Sequence, residues 1–139
     1  NQSHFAICFF FYNINSLRAA LKSYKELNHI LVISDACESG SSFLLAMRDE
    51  IKPKQCADWS VTRMKSAQVM TSSGPELATD KSLFTKTLAK ALTSSNDPCI
   101  SIEKLFLSVD AAYQKNQKPR FGKINDLDDQ GGTFIFFRK

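Results

Sequence analysis

Four short runs of apolar residues along the chain predict buried β-strands. They lie at residues 5–12, 29–34, 67–71 and 133–137, and apolar side chains follow one another in each with little interruption. Continuous apolar runs of this length are typical of strands that are covered on both faces. The longest run, FAICFFFY at 5–12, is far shorter than the roughly 20 apolar residues of a membrane-spanning helix. We therefore expect core strands and no membrane span.

Between these runs, apolar residues recur every three or four positions, which predicts helices. Three of the predicted helices begin at or after a Ser, Asn or Asp whose side chain can accept a hydrogen bond from a free backbone N–H of the first turn. The predicted helices cover residues 16–26, 41–49, a stretch from Asp80 or Ser82 to about Leu92, and a stretch from Ser101 to Tyr113. The periodicity is lost at residues 54–65, which we expect to form a loop, and residues 117–132 are rich in turn-forming residues.

Strands and helices thus alternate along the chain. Crossover helices between strands predict an α/β fold with a mostly parallel sheet and helices on both of its faces. A length of 139 residues fits a single domain. The net charge of +4 comes from scattered lysines rather than from a basic block, so we expect no nucleic-acid partner.

The cysteines predict neither a zinc site nor a dense disulfide scaffold. No two of them form a C-x-x-C pair, and no histidines cluster near them. We expect reduced thiols at Cys8, Cys56 and Cys99. Because no export signal is recognisable, we also expect a cytoplasmic protein.

Residues that could take part in catalysis or binding follow the predicted strand at 29–34. The chain continues as Asp35-Ala36-Cys37-Glu38-Ser39-Gly40, and the strand at 67–71 is followed by Ser72 and Ser73. Because the carboxyl ends of parallel strands meet at one sheet edge, we expect these side chains to share a crevice. Cys37 alone could be a small apolar residue at a strand end. However, a tight turn at Gly40 would bring the free N–H groups of the next helix near the sulfur and favour a thiolate, which a nucleophile requires.

An aliphatic strand followed by D-x-C-x-S-G, at residues 33–40, resembles the nucleophile strand of the caspase and metacaspase-like cysteine peptidases. Further segments are similar, in the same order, to the strand, substrate loop, helix and C-terminal segment of bacterial members: residues 66–73, 76–80, 84–86, 117–122 and 130–134. The resemblance covers about residues 12–139. It implies one caspase-like domain over residues 1–139, as the carboxyl-side portion of that fold with its N-terminal strands largely missing.

The resemblance implies a cysteine endopeptidase that needs no cofactor and acts on a protein or peptide. Cys37 would attack the scissile carbonyl, and its backbone N–H would help to hold the oxyanion. In the metacaspase branch, the residue at the position of Asp35 lines a pocket for Arg or Lys before the cut, and a carboxylate suits such a residue. Ser72 and Ser73 would line the substrate groove. Simpler roles stay open, with Asp35 as a cap on the following turn and both serines as turn formers.

Some relatives respond to calcium, and three aspartates lie close together near the end of this sequence: Asp126, Asp128 and Asp129. Their order does not have the spacing of an EF-hand loop. We expect them to form a solvated turn and predict no metal site.

A peptidase of this kind also needs a histidine base. In caspases the histidine lies roughly 50 residues upstream of the nucleophile, whereas 36 residues precede Cys37. His29 begins the strand whose other end leads to Cys37, on the order of 25 Å away at about 3.3 Å per residue, so it cannot be the base. His4 could be the base if residues 5–12 are a shortened connection. If they are the family's histidine strand, as their core-like composition favours, His4 lies at the wrong end.

Two other functions compete with the endopeptidase. A catalytically inactive caspase-like module that binds peptides or partners is favoured by the lack of an evident histidine base. A doubly wound domain of receiver or flavodoxin type would use Asp35 for phosphoryl or metal chemistry. It would need further acidic residues at neighbouring strand ends, and no Gly-rich phosphate loop occurs in the sequence.

Overall fold

The computed structural model describes residues 14–35, 45–47, 51–52, 54–56, 58–72, 83–113 and 118–138. In chain order, the elements within these ranges are α1 (Ile14–Ser23), β1 (His29–Ser34), β2 (Leu45–Met47), α2 (Trp59–Arg63), β3 (Ser66–Thr71), α3 (Leu83–Ser94), β4 (Cys99–Ser101), α4 (Ile102–Asp110), β5 (Arg120–Ile124) and β6 (Ile135–Phe137). The fold is mixed α/β. None of the helices in these ranges is long and apolar enough to cross a bilayer.

Within the described residues, the main sheet has four strands in the order β1-β3-β5-β2. β1 and β3 are parallel, whereas β5 runs antiparallel to both β3 and β2. A second, two-stranded sheet pairs β4 with β6 in antiparallel orientation. The described sheet is therefore mixed, and the expectation of a mostly parallel sheet was wrong for these strands. The reason is β5, which lies within the segment that we expected to be turn-rich and inserts between β3 and β2.

Helices cover both faces of the main sheet, as the sequence predicts. Strand side chains alternate between two faces, so neighbouring residues of β1 enter different core clusters. On one face Ile30 packs with Leu21 of α1, together with Ala67, Val69 and Ile124. On the other face Leu31 packs with residues of α3 and α4, including Phe84, Leu105 and Val109.

Two local predictions need correction, and one is confirmed. Residues 45–47 lie in the predicted helix 41–49 but form strand β2, because they pair with the edge of β5; the rest of that range, like the predicted strand 5–12, lies outside the described residues. The predicted loop 54–65 contains the short helix α2, which begins after Asp58; the Asp58 carboxylate accepts from the backbone N–H of Ser60. Strand β4 precedes the helix that Ser101 was predicted to cap, and that cap is confirmed by a bond from the Lys104 N–H to Ser101 Oγ.

A buried carboxylate connects the sheet, α4 and the segment that leads into β6. Glu103 is fully buried, and it accepts a 2.8 Å hydrogen bond from Nε2 of Gln68 and another from Oγ1 of Thr133. The other end of the Gln68 amide accepts from the backbone N–H of Phe134 at 2.8 Å. Nζ of Lys54 lies 3.7 Å from Glu103 Oε1. Burying a carboxylate is costly unless donors and an opposite charge surround it, and this network supplies both.

A disulfide joins Cys56 to Cys99 at the start of β4. The expectation of reduced thiols at these two positions was therefore wrong. The two cysteines are 43 residues apart in sequence but 6.2 Å apart between their Cα atoms, so no local spacing pattern could reveal the pair. Cys8 lies outside the described residues.

Candidate functional site

The candidate site lies at the carboxyl ends of β1 and β3. The parallel register pairs Ser34 with Thr71, and the backbone N–H of Ser72 donates to the Ser34 carbonyl at 3.0 Å. Asp35 and Ser72 are the next residues of the two strands, so the register places them side by side. Because side chains alternate along a strand, Asp35 lies on the same face as Leu31, and Ser72 lies on the same face as Met70. Leu31 and Met70 both belong to the core cluster under α3 and α4. The structure thus brings together two of the predicted site residues, and both precede segments that it does not describe.

The Asp35 carboxylate is exposed and engaged by helix α3. Its Oδ2 accepts a 2.6 Å hydrogen bond from Oγ1 of Thr85, 50 residues away. Thr85 lies in the first turn of α3, immediately after Phe84, which is 1% exposed within the core. Because Phe84 is packed in the core, the first turn of α3 is held in place, and the Thr85 hydroxyl therefore has a fixed position beside Asp35. Sequence reasoning missed Thr85, and no local signal connects a helix threonine with a strand end so distant in sequence.

Tyr113 belongs to the same neighbourhood. It follows α4 and packs, half-buried, against the core cluster that α3 and α4 form. Burial raises the pKa of the Tyr113 hydroxyl above its ordinary value of 10.0, and the negative charge of Asp35 raises this pKa further. Burial and the Asp35 charge both disfavour the negatively charged tyrosinate form of Tyr113. At neutral pH the site therefore combines one carboxylate with a neutral phenol.

Ser72 is the most unusual residue of the site. Its side chain is buried, with the residue 5% exposed, and its Oγ has no hydrogen-bond partner among the residues that the structure describes. A buried hydroxyl without a partner costs about 1–3 kcal/mol. Ser73 lies outside the described residues.

Neither Cys37 nor His4 is among the described residues. The remaining histidine, His29, is 1% exposed at the amino end of β1, the opposite end from Asp35. Its Nε2 lies 2.9 Å from the carbonyl of Thr62, which can only accept, so this nitrogen carries a proton. Its Nδ1 lies 2.9 Å from Oγ of Ser66. Both ring nitrogens are thus engaged in tying β1 to α2 and β3, which is a structural role.

The acidic cluster near the end of the chain is only partly a solvated turn. Asp126 and Asp128 are exposed as expected, but the Asp129 side chain is 3% exposed and 3.2 Å from Nζ of Lys123. The Asp129 carboxylate also accepts from the backbone N–H groups of Ala67 and Gly131. It therefore fixes the turn to the start of β3. Within the described ranges, no three His, Cys, Asp or Glu side chains are grouped as a metal ion would require.

No family model, curated protein or solved structure matches this chain. The function must therefore be argued from the chain's own residues and from the geometry around Asp35. The strand next to β1 in the sheet is β3, which ends at Thr71 and is followed by Ser72. A receiver-type phosphoryl site would need a further carboxylate at such a strand end, and the described residues at the end of β3 supply none.

Proposed function

We propose that this chain is a caspase-like cysteine endopeptidase domain in which Cys37 is the nucleophile and Asp35 binds an Arg or Lys before the scissile bond. One observation carries the proposal. The D-x-C-x-S-G motif follows β1 directly, at the sheet edge where Asp35 lies beside the buried hydroxyl of Ser72, which has no hydrogen-bond partner among the described residues. Ligands and reacting groups collect at such an edge of a parallel strand pair.

The chemistry follows from the residue types. The Cys37 thiolate adds to the carbonyl carbon of the scissile bond, and the charge moves to the carbonyl oxygen, where the Cys37 N–H donates to it. Collapse of this intermediate breaks the C–N bond, and the amine leaves with a proton from the base. Water then hydrolyses the thioester and regenerates the thiol. The groove hydroxyl of Ser72 is suited to hydrogen-bond the backbone of a bound peptide.

If residues 5–12 are a shortened connection, His4 takes the role of base. His29 is excluded because both of its ring nitrogens are engaged at the amino end of β1. A His4→Ala variant should accordingly lose peptidase activity by at least about a hundredfold, the usual contribution of a general base. Unchanged activity in this variant would mean that another group moves the proton.

The deciding experiment is covalent labelling of the folded chain with a peptidyl electrophile that carries Arg before the warhead. An otherwise identical probe with Asp at that position controls for charge, and Cys37→Ala and Cys8→Ser control for the labelled thiol. We expect the Arg probe to label the wild type and Cys8→Ser, but not Cys37→Ala. An Asp35→Asn variant should react more slowly with the Arg probe only. Equal labelling by both probes would contradict the role of Asp35.

A second function is favoured by the position of His29. The histidine that the structure describes lies at the wrong end of β1 for catalysis. A catalytically inactive domain that binds peptides or partners needs no histidine at the other end. Such a domain would bind an Arg-containing peptide at Asp35 without reacting with the Arg probe. Binding of this kind without labelling of Cys37 would therefore establish the second function in place of the first.

A further inference from the structure

We propose that Thr85 is a positioning residue that orients the Asp35 carboxylate and so makes the site prefer a guanidinium to an ammonium group. The inference rests on the proposed function, since it concerns the substrate class of the same site. It goes further by assigning the preference between Arg and Lys to a named hydrogen bond, 2.6 Å long, between Thr85 Oγ1 and Asp35 Oδ2.

The hydrogen bond restricts a torsion that is otherwise loose. The carboxylate of an Asp rotates about χ2 over a broad range, because this torsion joins an sp³ carbon to an sp² carbon. Asp35 is exposed, so burial does not fix the plane of its carboxylate. A donor fixed at one oxygen selects one orientation of the plane before any ligand arrives.

The donor is itself firmly held. Phe84, the residue before Thr85, is 1% exposed and packs in the cluster with Leu31 of β1 and Phe106 of α4. Leu88, one turn further along α3, packs against the same cluster. The first turn of α3 therefore cannot shift away from β1 without opening the core. The hydrogen bond from Thr85 thus connects the exposed Asp35 carboxylate to a rigid part of the core.

A fixed plane benefits the two basic side chains unequally. A guanidinium is planar and binds a carboxylate best through two parallel N–H···O bonds, so its affinity depends on the orientation of the carboxylate plane. An ammonium is a compact charge with rotatable donors and tolerates many orientations. Loss of the Thr85 bond should therefore weaken recognition of Arg much more than recognition of Lys.

Close variants separate this role from a purely structural one. Thr85→Val keeps the β-branched shape and removes the hydroxyl, whereas Thr85→Ser keeps the hydroxyl. Thr87→Val is the matched control, because Thr87 Oγ1 donates back to the Leu83 carbonyl within α3. Thr85→Ala is a second hydroxyl-free variant in case the valine form is poorly folded. Circular dichroism of each variant would verify folding.

The measurement is the ratio of labelling rates with an Arg probe and an otherwise identical Lys probe. A charge-assisted hydrogen bond contributes enough to change a binding constant by about tenfold or more. We expect the Arg-to-Lys ratio to fall by about tenfold in Thr85→Val and Thr85→Ala, and to stay at the wild-type value in Thr85→Ser and Thr87→Val. An unchanged ratio in both hydroxyl-free variants would overturn the inference while leaving the peptidase intact.

A binding experiment separates the inference from the proposed function. N-acetyl-arginine amide and N-acetyl-lysine amide would be titrated into the Cys37→Ala chain, with and without Thr85→Val, by NMR or calorimetry. Selective, Thr85-dependent binding of the arginine amide without any labelling of Cys37 in the wild type would support the inference and refute the peptidase. Failure of the arginine amide to bind better than the lysine amide would overturn the inference.

Discussion

Cys56 and Cys99 are joined by a disulfide that closes a loop across 43 residues of sequence. Cys56 lies two residues after Lys54, whose Nζ donates to the Gly131 carbonyl at 2.6 Å and lies 3.7 Å from Glu103. Cys99 begins β4, which continues directly into α4 and Glu103. The disulfide therefore ties the segment that carries Lys54 to the element that carries the buried carboxylate.

Removing this disulfide should destabilise the fold. In the chain-entropy model, a cross-link across a loop of this length contributes about 4 kcal/mol, because it restricts the unfolded chain. We expect the Cys56→Ser/Cys99→Ser variant to lose about 2–4 kcal/mol of unfolding free energy in urea. Dithiothreitol should destabilise the wild type by a similar amount and leave the double variant unchanged. Equal sensitivity of both proteins to the reductant would show that the bond does not form.

Neutralising the buried carboxylate should also be costly. A Glu103→Gln variant keeps the shape of the side chain but replaces one carboxylate oxygen with an NH₂ group. This new donor would face the groups that donate to Glu103, which belong to Gln68, Thr133 and Lys54. Removing one partner of a buried charged pair typically costs about 3–5 kcal/mol. We expect a loss in this range by urea unfolding.

The next residue of α4 supplies the matched control for Glu103. Lys104 pairs with Asp97 on the surface, where both side chains are about half exposed. Because solvent screens such pairs, Lys104→Gln should leave the unfolding midpoint almost unchanged. Similar effects of the two variants would contradict the structural role assigned to the Glu103 network.

Two adjacent glycines should differ sharply in their tolerance of a methyl group. A Cβ at Gly132 would overlap the backbone oxygen of Met64, so the segment before β6 would have to move away from the residues between α2 and β3. We expect Gly132→Ala to cost about 3 kcal/mol or more through overpacking. Gly131 has open space around it but a φ of +84°, so Gly131→Ala should cost only about 1–2 kcal/mol through backbone strain. Thermal unfolding of both variants tests the order, and a reversed order would refute the close approach.

The parts of the fold that the sequence predicts well are those with a local signal. The apolar runs of β1 and β3 and the three-to-four spacing of α3 and α4 reflect burial against neighbours that cover whole faces. β5 gives a weak signal, because Gly122 and Lys123 interrupt its apolar residues and turn formers surround it. Its place between β3 and β2 depends on pairing across long stretches of chain, which no short window contains.

The candidate site shows the same division. The proximity of Asp35 and Ser72 could be predicted, because parallel strands end at one edge and each residue directly follows its strand. The bond from Thr85 to Asp35 could not, since it depends on how α3 packs across the sheet through Phe84. The link between Cys56 and Cys99 is equally non-local. Pairwise contacts between distant segments are therefore what the structure adds to the sequence.

The titration of Tyr113 tests how close it lies to Asp35. Burial is the larger cause of its raised pKa, and the Asp35 charge is the second. Asp35→Asn should therefore lower the Tyr113 pKa only part of the way towards 10.0. Tyrosinate absorbance, measured as the difference between each protein and its Tyr113→Phe counterpart, isolates this residue from the other tyrosines. Asp58→Asn, which removes an exposed carboxylate in another part of the chain, should leave the Tyr113 pKa unchanged.

The raised pKa of Tyr113 also predicts how the free energy of unfolding changes with pH in the alkaline range. The folded-state pKa of Tyr113 lies above its unfolded value of about 10, so above that pH the folded chain holds a proton that the unfolded chain releases. The stabilisation is complete below pH 10 and is lost as the pH rises through the folded-state pKa. Unfolding free energies measured across this window should fall more steeply for the wild type than for Tyr113→Phe, with Asp35→Asn in between. Identical slopes in all three proteins would place Tyr113 away from both the core and Asp35.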